Sequence, residues 1–176
     1  MPCGIFCEVR RNEEADMTMP VRFLMVCLGN ICRSPTAHAV FQQRIEAAGL
    51  MASVQVDSAG TGDYHIGAAP DPRTQAAGAR RGYDLSRLRA RQVGLIDFEN
   101  FDHILAMDEN NLRDLARLCP PEQQHKLQLF MDFAPDCGRS VPDPYYEESE
   151  AFERVLDLVE AASDGLLRHI LARSGS

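Results

Sequence analysis

Short apolar segments alternate with amphipathic ones from residue 21 onward. Four apolar runs have the length and composition of strands, and they lie at 21–27, 53–60, 101–108 and 126–133. Helical spacing of apolar residues, with proline or glycine at several boundaries, predicts helices over 34–49, 71–81, 109–118 and 149–172. Because strands alternate with helices, we expect an α/β fold in three layers, with a central four-stranded parallel sheet and helices on both faces. This class includes the flavodoxin-like and Rossmann-like folds.

Residues 1–19 do not follow this pattern. They are polar, show no periodicity and contain the charged stretch RRNEEAD. We therefore predict a disordered N-terminal extension over 1–19 and one domain over 20–176. Cys3 and Cys7 lie in the extension and could ligate a metal ion. No second cysteine or histidine pair stands nearby, so we interpret the segment as a loose tail.

Composition narrows the class of protein. Apolar residues form 45% and charged residues 25% of the 176 residues, as in ordinary globular proteins. The net charge of −8 argues against a nucleic-acid partner, and no apolar run approaches the ~20 residues of a membrane span. The first twenty residues lack the apolar region of a signal peptide, so we expect a cytoplasmic protein whose six cysteines are mostly free. A monomer is the default expectation.

The stretch VCLGNICRSP carries the candidate chemistry. It follows the first strand, at the carboxyl edge of the sheet where ligands bind in such folds. A tight loop before a helix turns its backbone N–H groups inward and forms a nest for an anion. Gly29 and Asn30 tolerate left-handed backbone, and Arg33 offers a planar fork of donors. The phosphate-binding residues would be Leu28, Gly29, Asn30, Ile31, Cys32, Arg33 and Ser34.

Such a positive field favours a thiolate at Cys27, aimed at a bound phosphoryl group without a metal or another cofactor. A C-x5-R match alone is weak, and the spacing of Cys27 and Cys32 is also compatible with zinc or a disulfide. The five histidines never pair at ligand spacing, and a reducing compartment disfavours a disulfide. The context of the loop favours an anion-binding site. A strand precedes the loop, Gly-Asn lies within it, and Arg-Ser-Pro follows it.

Asp143 is the candidate general acid. A tyrosine leaving group has a conjugate pKa near ~10, so its departure needs a proton donor that later acts as a base toward water. Asp143 stands between two prolines in VPDPYYEE, with Tyr145 and Tyr146 beside it. From this stretch alone, Asp143 is equally compatible with a simple turn residue.

Together these residues resemble the low-molecular-weight protein tyrosine phosphatase family. The segments VCLGNICRSPTA, VDSAGT, APDPR, ARQV, ILAMDENNL and VPDPYY follow in the family's order, and the resemblance covers about residues 21–172. It implies hydrolysis of phosphotyrosine in proteins, and of small aryl phosphates, through a cysteinyl-phosphate. Cys27 would be the nucleophile, Arg33 the clamp on phosphate and transition state, and Asp143 the acid and then the base.

The resemblance also implies roles for supporting residues. A hydrogen-bond network would hold the loop through Asn30, Ser34 and Ser58, with Ser34 also favouring the thiolate. The substrate cleft would be formed by Leu28, Tyr64, Tyr145 and Tyr146. Cys32 would protect Cys27 from irreversible oxidation through a reversible disulfide. Leu88 departs from the family, which often carries a histidine there to support the asparagine, so we expect an unchanged fold with a slightly looser loop.

Three rival functions remain on the same scaffold. Arsenate reductases use two further cysteines, but Cys119 and Cys137 are poorly spaced for a relay. Arginine phosphatases resemble this chain but carry threonine at the position of Ile31, and isoleucine favours the tyrosine type. A non-catalytic phosphate-binding module would not need both Cys27 and Asp143.

Overall fold

The computed structural model describes residues 19–175. The strands are β1 (Val21–Cys27), β2 (Val54–Gly60), β3 (His103–Ala106) and β4 (Leu127–Leu129). The helices are α1 (Arg33–Ala47), α2 (Pro72–Arg80), α3 (Leu95–Asn100), α4 (Glu109–Leu118) and α5 (Ser149–Ser174). Short 3-10 helices span Pro121–Lys126, Phe130–Phe133 and Pro135–Cys137.

All strand pairs are parallel, and the sheet order is β2-β1-β3-β4. The chain leaves β1 toward β2 on one side and later returns to β3 on the other, so the strand order reverses beside β1. The crevice at such a switch point is where doubly wound folds bind ligands. The α/β fold predicted above is therefore confirmed, and the loop after Cys27 lies at this crevice.

Strand β1 is buried on both faces, as its apolar run predicts. Phe23 and Met25 pack into a core with residues of α1 and α5, whereas Leu24 and Val26 pack on the opposite face. That second core includes Phe98 of α3 and residues of α4. Alternate side chains of a strand point to opposite faces, so one seven-residue strand joins both helical layers.

One predicted strand is too long, and one helix was not predicted. The strand expected over 126–133 ends at Leu129, and residues Phe130–Phe133 form a 3-10 helix. Consecutive Phe130 and Met131 are both buried there, in the same core as residues of α5. Helix α3 was not predicted because six residues are too short to show a helical period.

The expectation of disorder over 1–19, with its two cysteines Cys3 and Cys7, lies outside the described residues except for Met19. Among the helices within 19–175, none is both long enough and apolar enough to cross a membrane.

Candidate active site

The loop after β1 has the backbone that the sequence suggested, with one difference. Asn30 adopts left-handed backbone, with φ at 57°. Gly29 does not, and its small size matters for another reason. A Cβ atom at Gly29 would lie 3.0 Å from Cδ2 of His65. The glycine therefore leaves room for a histidine ring at the edge of the site.

The Cys27 thiol is surrounded by hydrogen-bond donors. Its Sγ lies 3.0 Å from Oγ of Ser34 and accepts the backbone N–H of Asn30 at 3.3 Å. Nδ2 of Asn30 donates to Oγ of Ser34 at 2.8 Å, so the serine hydroxyl can donate its own proton, and its acceptors within reach are the sulfur and the Ala59 carbonyl at 3.4 Å. Donors directed at a sulfur stabilise its anionic form. All three residues are buried.

The second strand supports this loop from the side. Backbone N–H groups of Thr61 and Gly62 donate to the carbonyls of Cys27 and Leu28, each at 2.9 Å. A Cβ atom at Gly60 would lie 2.6 Å from the Leu28 carbonyl oxygen. Only glycine permits this close approach of backbones. Gly60 was not predicted as a site residue, although the glycines of SAGTG at a strand end were a signal.

Ser58 does not join the predicted network with Asn30 and Ser34. Its Oγ lies 3.2 Å from Nδ1 of His38, and its N–H donates to Asp57. Oδ1 of Asn30 instead accepts the backbone N–H of Arg91 at 3.0 Å.

Leu88, where the family often has histidine, is a partly buried apolar residue packed on the core. The side-chain nitrogen of Asn30 thus bonds to Ser34 and its side-chain oxygen to the Arg91 backbone. Both contacts form without a side chain from position 88.

Arg33 is only 3% exposed, and it contacts two hydrogen-bond acceptors and one further carboxylate. Nη1 donates to Asp108 at 2.5 Å and to the Val141 carbonyl at 3.1 Å, and Nη2 lies 3.6 Å from the Asp143 carboxylate. Burial lowers the pKa of Arg33, but the negative charges of Cys27, Asp108 and Asp143 outweigh this and raise it. Arg33 therefore remains a cation inside the site.

Asp108 was not predicted as a site residue. It is the N-cap of α4, where its Oδ1 accepts the backbone N–H of Asn111 at 2.7 Å, while Oδ2 accepts from Arg33. An aspartate before a predicted helix was the available signal, but a cap alone does not indicate contact with an arginine 75 positions away.

The predicted catalytic residues line one cleft of about 340 Å³. Cys27, Arg33 and Asp143 are on its surface, and the predicted walls Leu28, Tyr64, Tyr145 and Tyr146 surround them. His65 also lines the cleft and was not predicted, since a single histidine after Tyr64 carries no motif. Asn30, Ser34 and Ser58 are not among the lining residues.

Cys32 differs chemically from Cys27 although both are buried free thiols. Burial raises the pKa of Cys32 to about 12, and Asp71, Cys27 and Asp143 act in the same direction, against a hydrogen bond with Thr74. Cys32 is therefore a neutral thiol near pH 7. Its pairing with Cys27 under oxidation stays a prediction. Within residues 19–175, no cluster of three metal-ligating side chains supports the zinc alternative.

Comparison with known proteins agrees with this site. The model of the family "Low molecular weight phosphotyrosine protein phosphatase" matches residues 22–175. The chain belongs to this family. A low molecular weight protein-tyrosine-phosphatase of Streptomyces coelicolor is 47% identical over 153 residues, covering 85% of this chain and 93% of the relative. The human low molecular weight phosphotyrosine protein phosphatase is 43% identical, with 75% and 84% covered.

Solved structures of the family share the fold. A protein tyrosine phosphatase of Entamoeba histolytica is 39% identical with a TM-score of 0.83, covering 88% of this chain and 99% of that one. YfkJ of Bacillus subtilis is 36% identical with a TM-score of 0.84, with 89% and 98% covered. The family assignment inferred from the loop and the VPDPYY segment is confirmed.

Proposed function

We propose that this protein is a phosphatase that hydrolyses phosphotyrosine in proteins, and small aryl phosphates, through a cysteinyl-phosphate. One observation carries the proposal: Cys27, Arg33 and Asp143 share a cleft whose walls include three tyrosines. Relatives that cover most of the chain are named protein-tyrosine phosphatases.

In the first step, the Cys27 thiolate attacks phosphorus and the bond to the phenolic oxygen breaks. Backbone N–H groups of the loop and the Arg33 guanidinium hold the phosphoryl oxygens, at the N-terminus of α1. Asp143 gives its proton to the departing phenolate, so tyrosine leaves neutral. Asp143 is 47% exposed and borders the cleft, which allows it to reach both the leaving group and water.

In the second step, Asp143 takes a proton from water as the oxygen of that water attacks the cysteinyl-phosphate. The S–P bond breaks, inorganic phosphate forms and the thiolate returns. The Ser34 hydroxyl, 3.0 Å from Sγ, stabilises the sulfur as it departs with negative charge. The aspartic acid thus ends each cycle protonated and ready for the next substrate.

Two structural observations favour phosphotyrosine hydrolysis over arsenate reduction and arginine dephosphorylation. Cys119 is buried at the end of α4 and Cys137 lies in a 3-10 helix, and neither lines the cleft as a relay to arsenate would need. Ile31, where arginine phosphatases resembling this chain have threonine, does line the cleft and presents an apolar surface. We also propose a cytoplasmic location, where a reducing environment preserves the thiolate, and a monomeric state.

Hydrolysis of phosphotyrosine by the native chain, Cys27→Ser and Asp143→Asn, with and without chelator, tests the proposal. We expect Cys27→Ser to be inactive and Asp143→Asn to lose about 10²-fold or more, in the range of general acid–base catalysis. Activity that survives Cys27→Ser, or that chelator abolishes, contradicts the mechanism. Faster turnover of phosphoarginine or arsenate than of phosphotyrosine overturns the substrate class.

A further inference from the structure

Arg73, in the first turn of α2, contacts the segment that carries Asp143. Its Nη2 donates to the Tyr145 carbonyl at 3.0 Å. Its guanidinium carbon lies 5.6 Å from the centroid of the Tyr145 ring and 4.7 Å from that of Phe152, distances typical of cation–π contacts. One side chain therefore holds both the backbone and the ring of a residue two positions from Asp143.

Asp71 fixes the orientation of this arginine. Nε and Nη2 of Arg73 donate to the two carboxylate oxygens of Asp71 at 3.0 and 2.8 Å, a planar pair that lysine cannot form. Oδ1 of Asp71 also caps α2 by accepting the Arg73 N–H at 2.8 Å. Hydrogen bonds from Arg73 are the largest of the effects that lower the pKa of Asp71, so the pair is charged.

The pair is tied to both catalytic segments. The Asp71 N–H donates to the carbonyl of Ile31, in the phosphate loop, at 2.9 Å. At the other end, the Tyr145 N–H donates to Oδ1 of Asp143 at 3.1 Å. A continuous path thus runs from the phosphate loop through Asp71, Arg73 and Tyr145 to the carboxylate of the proposed acid.

We propose that Arg73 is a positioning residue that sets the Asp143 carboxylate at the correct distance from the leaving oxygen. This inference rests on the acid and base roles proposed for Asp143. Residues 138–144 lack helix or strand, and ends of such segments shift unless side chains hold them. Anchoring Tyr145 to α2, which is itself anchored to the phosphate loop, gives the acid a fixed place relative to the bound phosphate.

Substrates with different leaving groups distinguish a positioning role of Arg73 from a purely structural role. Phosphotyrosine needs a proton on its departing oxygen, whereas dinitrophenyl phosphate releases a stable anion without one. Arg73→Met keeps an apolar contact with the rings but removes the hydrogen bonds. We expect kcat/KM for phosphotyrosine to fall about tenfold, since a 1 Å displacement costs up to about 10²-fold. The same constant for dinitrophenyl phosphate should change less than about twofold, because its cleavage does not depend on the acid.

Arg80→Met is the matched control. Arg80 lies on the same helix and pairs with Glu153 of α5, and we expect its loss to leave both substrates unaffected. Arg73→Lys, which keeps the charge beside Asp71, covers the case in which the methionine variant does not fold, and should show a smaller loss of the same selectivity. In the Asp143→Asn background, Arg73→Met should have almost no further effect on phosphotyrosine, since residues acting through one group are not additive.

Equal losses for both substrates, or a full tenfold loss in the Asp143→Asn background, would show that Arg73 serves the cleft wall or general stability, and would overturn the inference. Unchanged phosphotyrosine turnover in Arg73→Met and Arg73→Lys would do the same. If Asp143→Asn by itself leaves phosphotyrosine turnover intact, the proposed function of Asp143 fails first.

Discussion

At the scale of single residues, the site depends on side chains whose hydrogen bonds are directed at one sulfur. Asn30 donates to Oγ of Ser34, so the serine hydroxyl is available as a donor, and the Cys27 sulfur is the nearer of its two acceptors. Hydrogen bonds to a charged group are worth about 1.5–3 kcal/mol, more than those between neutral groups. In the proposed mechanism the sulfur carries negative charge as it leaves phosphorus, and the serine acts at that point.

Ser34→Ala should therefore lower kcat by about tenfold or more, because the departing thiolate loses a donor of about 1.5–3 kcal/mol. Steady-state and burst kinetics with dinitrophenyl phosphate measure the effect, since hydrolysis of the cysteinyl-phosphate should slow. Ser163→Ala is a matched control. Ser163 is equally buried, and its hydroxyl has no hydrogen-bond partner within the described chain. An equal loss in both variants would refute the role of Ser34.

The two cysteines of the loop should differ in reactivity. Because the pKa of Cys32 is raised to about 12, it stays protonated at pH 7 and should resist iodoacetamide. Cys27 should be alkylated, more slowly when inorganic phosphate occupies the loop. Peptide mapping by mass spectrometry checks this, with the exposed Cys137 as the internal standard. Labelling of Cys32 at the rate of Cys27 would contradict the assignment of a single thiolate.

At the scale of secondary-structure elements, tertiary packing determined where β4 ends, which the local sequence pattern did not. The chain at Phe130–Phe133 coils into a 3-10 helix under α5 instead of extending β4. Gly165 of α5 permits this contact, since a Cβ atom there would lie 1.8 Å from the Phe133 carbonyl oxygen. A glycine inside a long helix, which costs about 1 kcal/mol relative to alanine, was the signal in the sequence.

Gly165→Ala should destabilise the protein by about 2 kcal/mol or more, because overpacking against backbone costs more than the gain in helix propensity. Urea or thermal unfolding followed by circular dichroism measures the loss. Gly94→Ala provides the control and should cost no more than about 1 kcal/mol, the N-cap preference for glycine over alanine at the start of α3, since no atom lies within 4 Å of its added Cβ and its φ is an ordinary −121°. A stable Gly165→Ala protein would mean that α5 does not pack on this carbonyl.

At the scale of the whole molecule, attraction for an anionic substrate is local. The net charge is −8, yet Arg33 lies buried at the base of the cleft with its pKa raised by the charges around it. A second consequence of tertiary burial is a dependence of stability on pH. His38 of α1 packs beside Ser58, and burial lowers its pKa despite the neighbouring Asp57, with Arg91 acting in the same direction as burial.

A histidine whose folded pKa is lowered binds its proton more readily when unfolded. Its contribution to stability is full above the unfolded value of 6.5 and is lost as pH falls below it. The free energy of unfolding should therefore decline from pH 7 to pH 5, by at most about 1.4 kcal/mol per pH unit for each such group. Half-buried His103, whose pKa burial also lowers, adds to this. Urea unfolding across this range measures the slope.

His38→Gln should flatten that slope, since glutamine does not titrate. His125→Gln, at an exposed position, is the control and should keep the native slope. An unchanged slope in His38→Gln would show that the buried histidine does not govern acid stability.

The family, the parallel sheet and the central chemistry were predictable from the sequence because their signals are local. A seven-residue apolar run predicts the end of a strand, and the five residues after it predict an anion-binding nest. The arginine that follows predicts a group that binds phosphate, and none of these predictions needs the rest of the chain. The position of Asp143 in the cleft was predictable only together with the loop, since a turn aspartate carries no signal of its own. Cys27 and Arg33 flank the same five-residue loop, so their placement in one cleft follows from their closeness in the sequence.

Only the tertiary structure decided which distant groups complete the site. Asp108 reaches Arg33 across 75 positions, Gly60 yields space to the Leu28 carbonyl, and Ser58 turns to His38 instead of Asn30. The first two of these contacts depend on the parallel register that places the ends of β1, β2 and β3 at one edge, and the third on the packing of α1 against β2. Periodicity and motifs describe a chain along its own length, whereas the partners of a buried charge are set by which strands lie side by side.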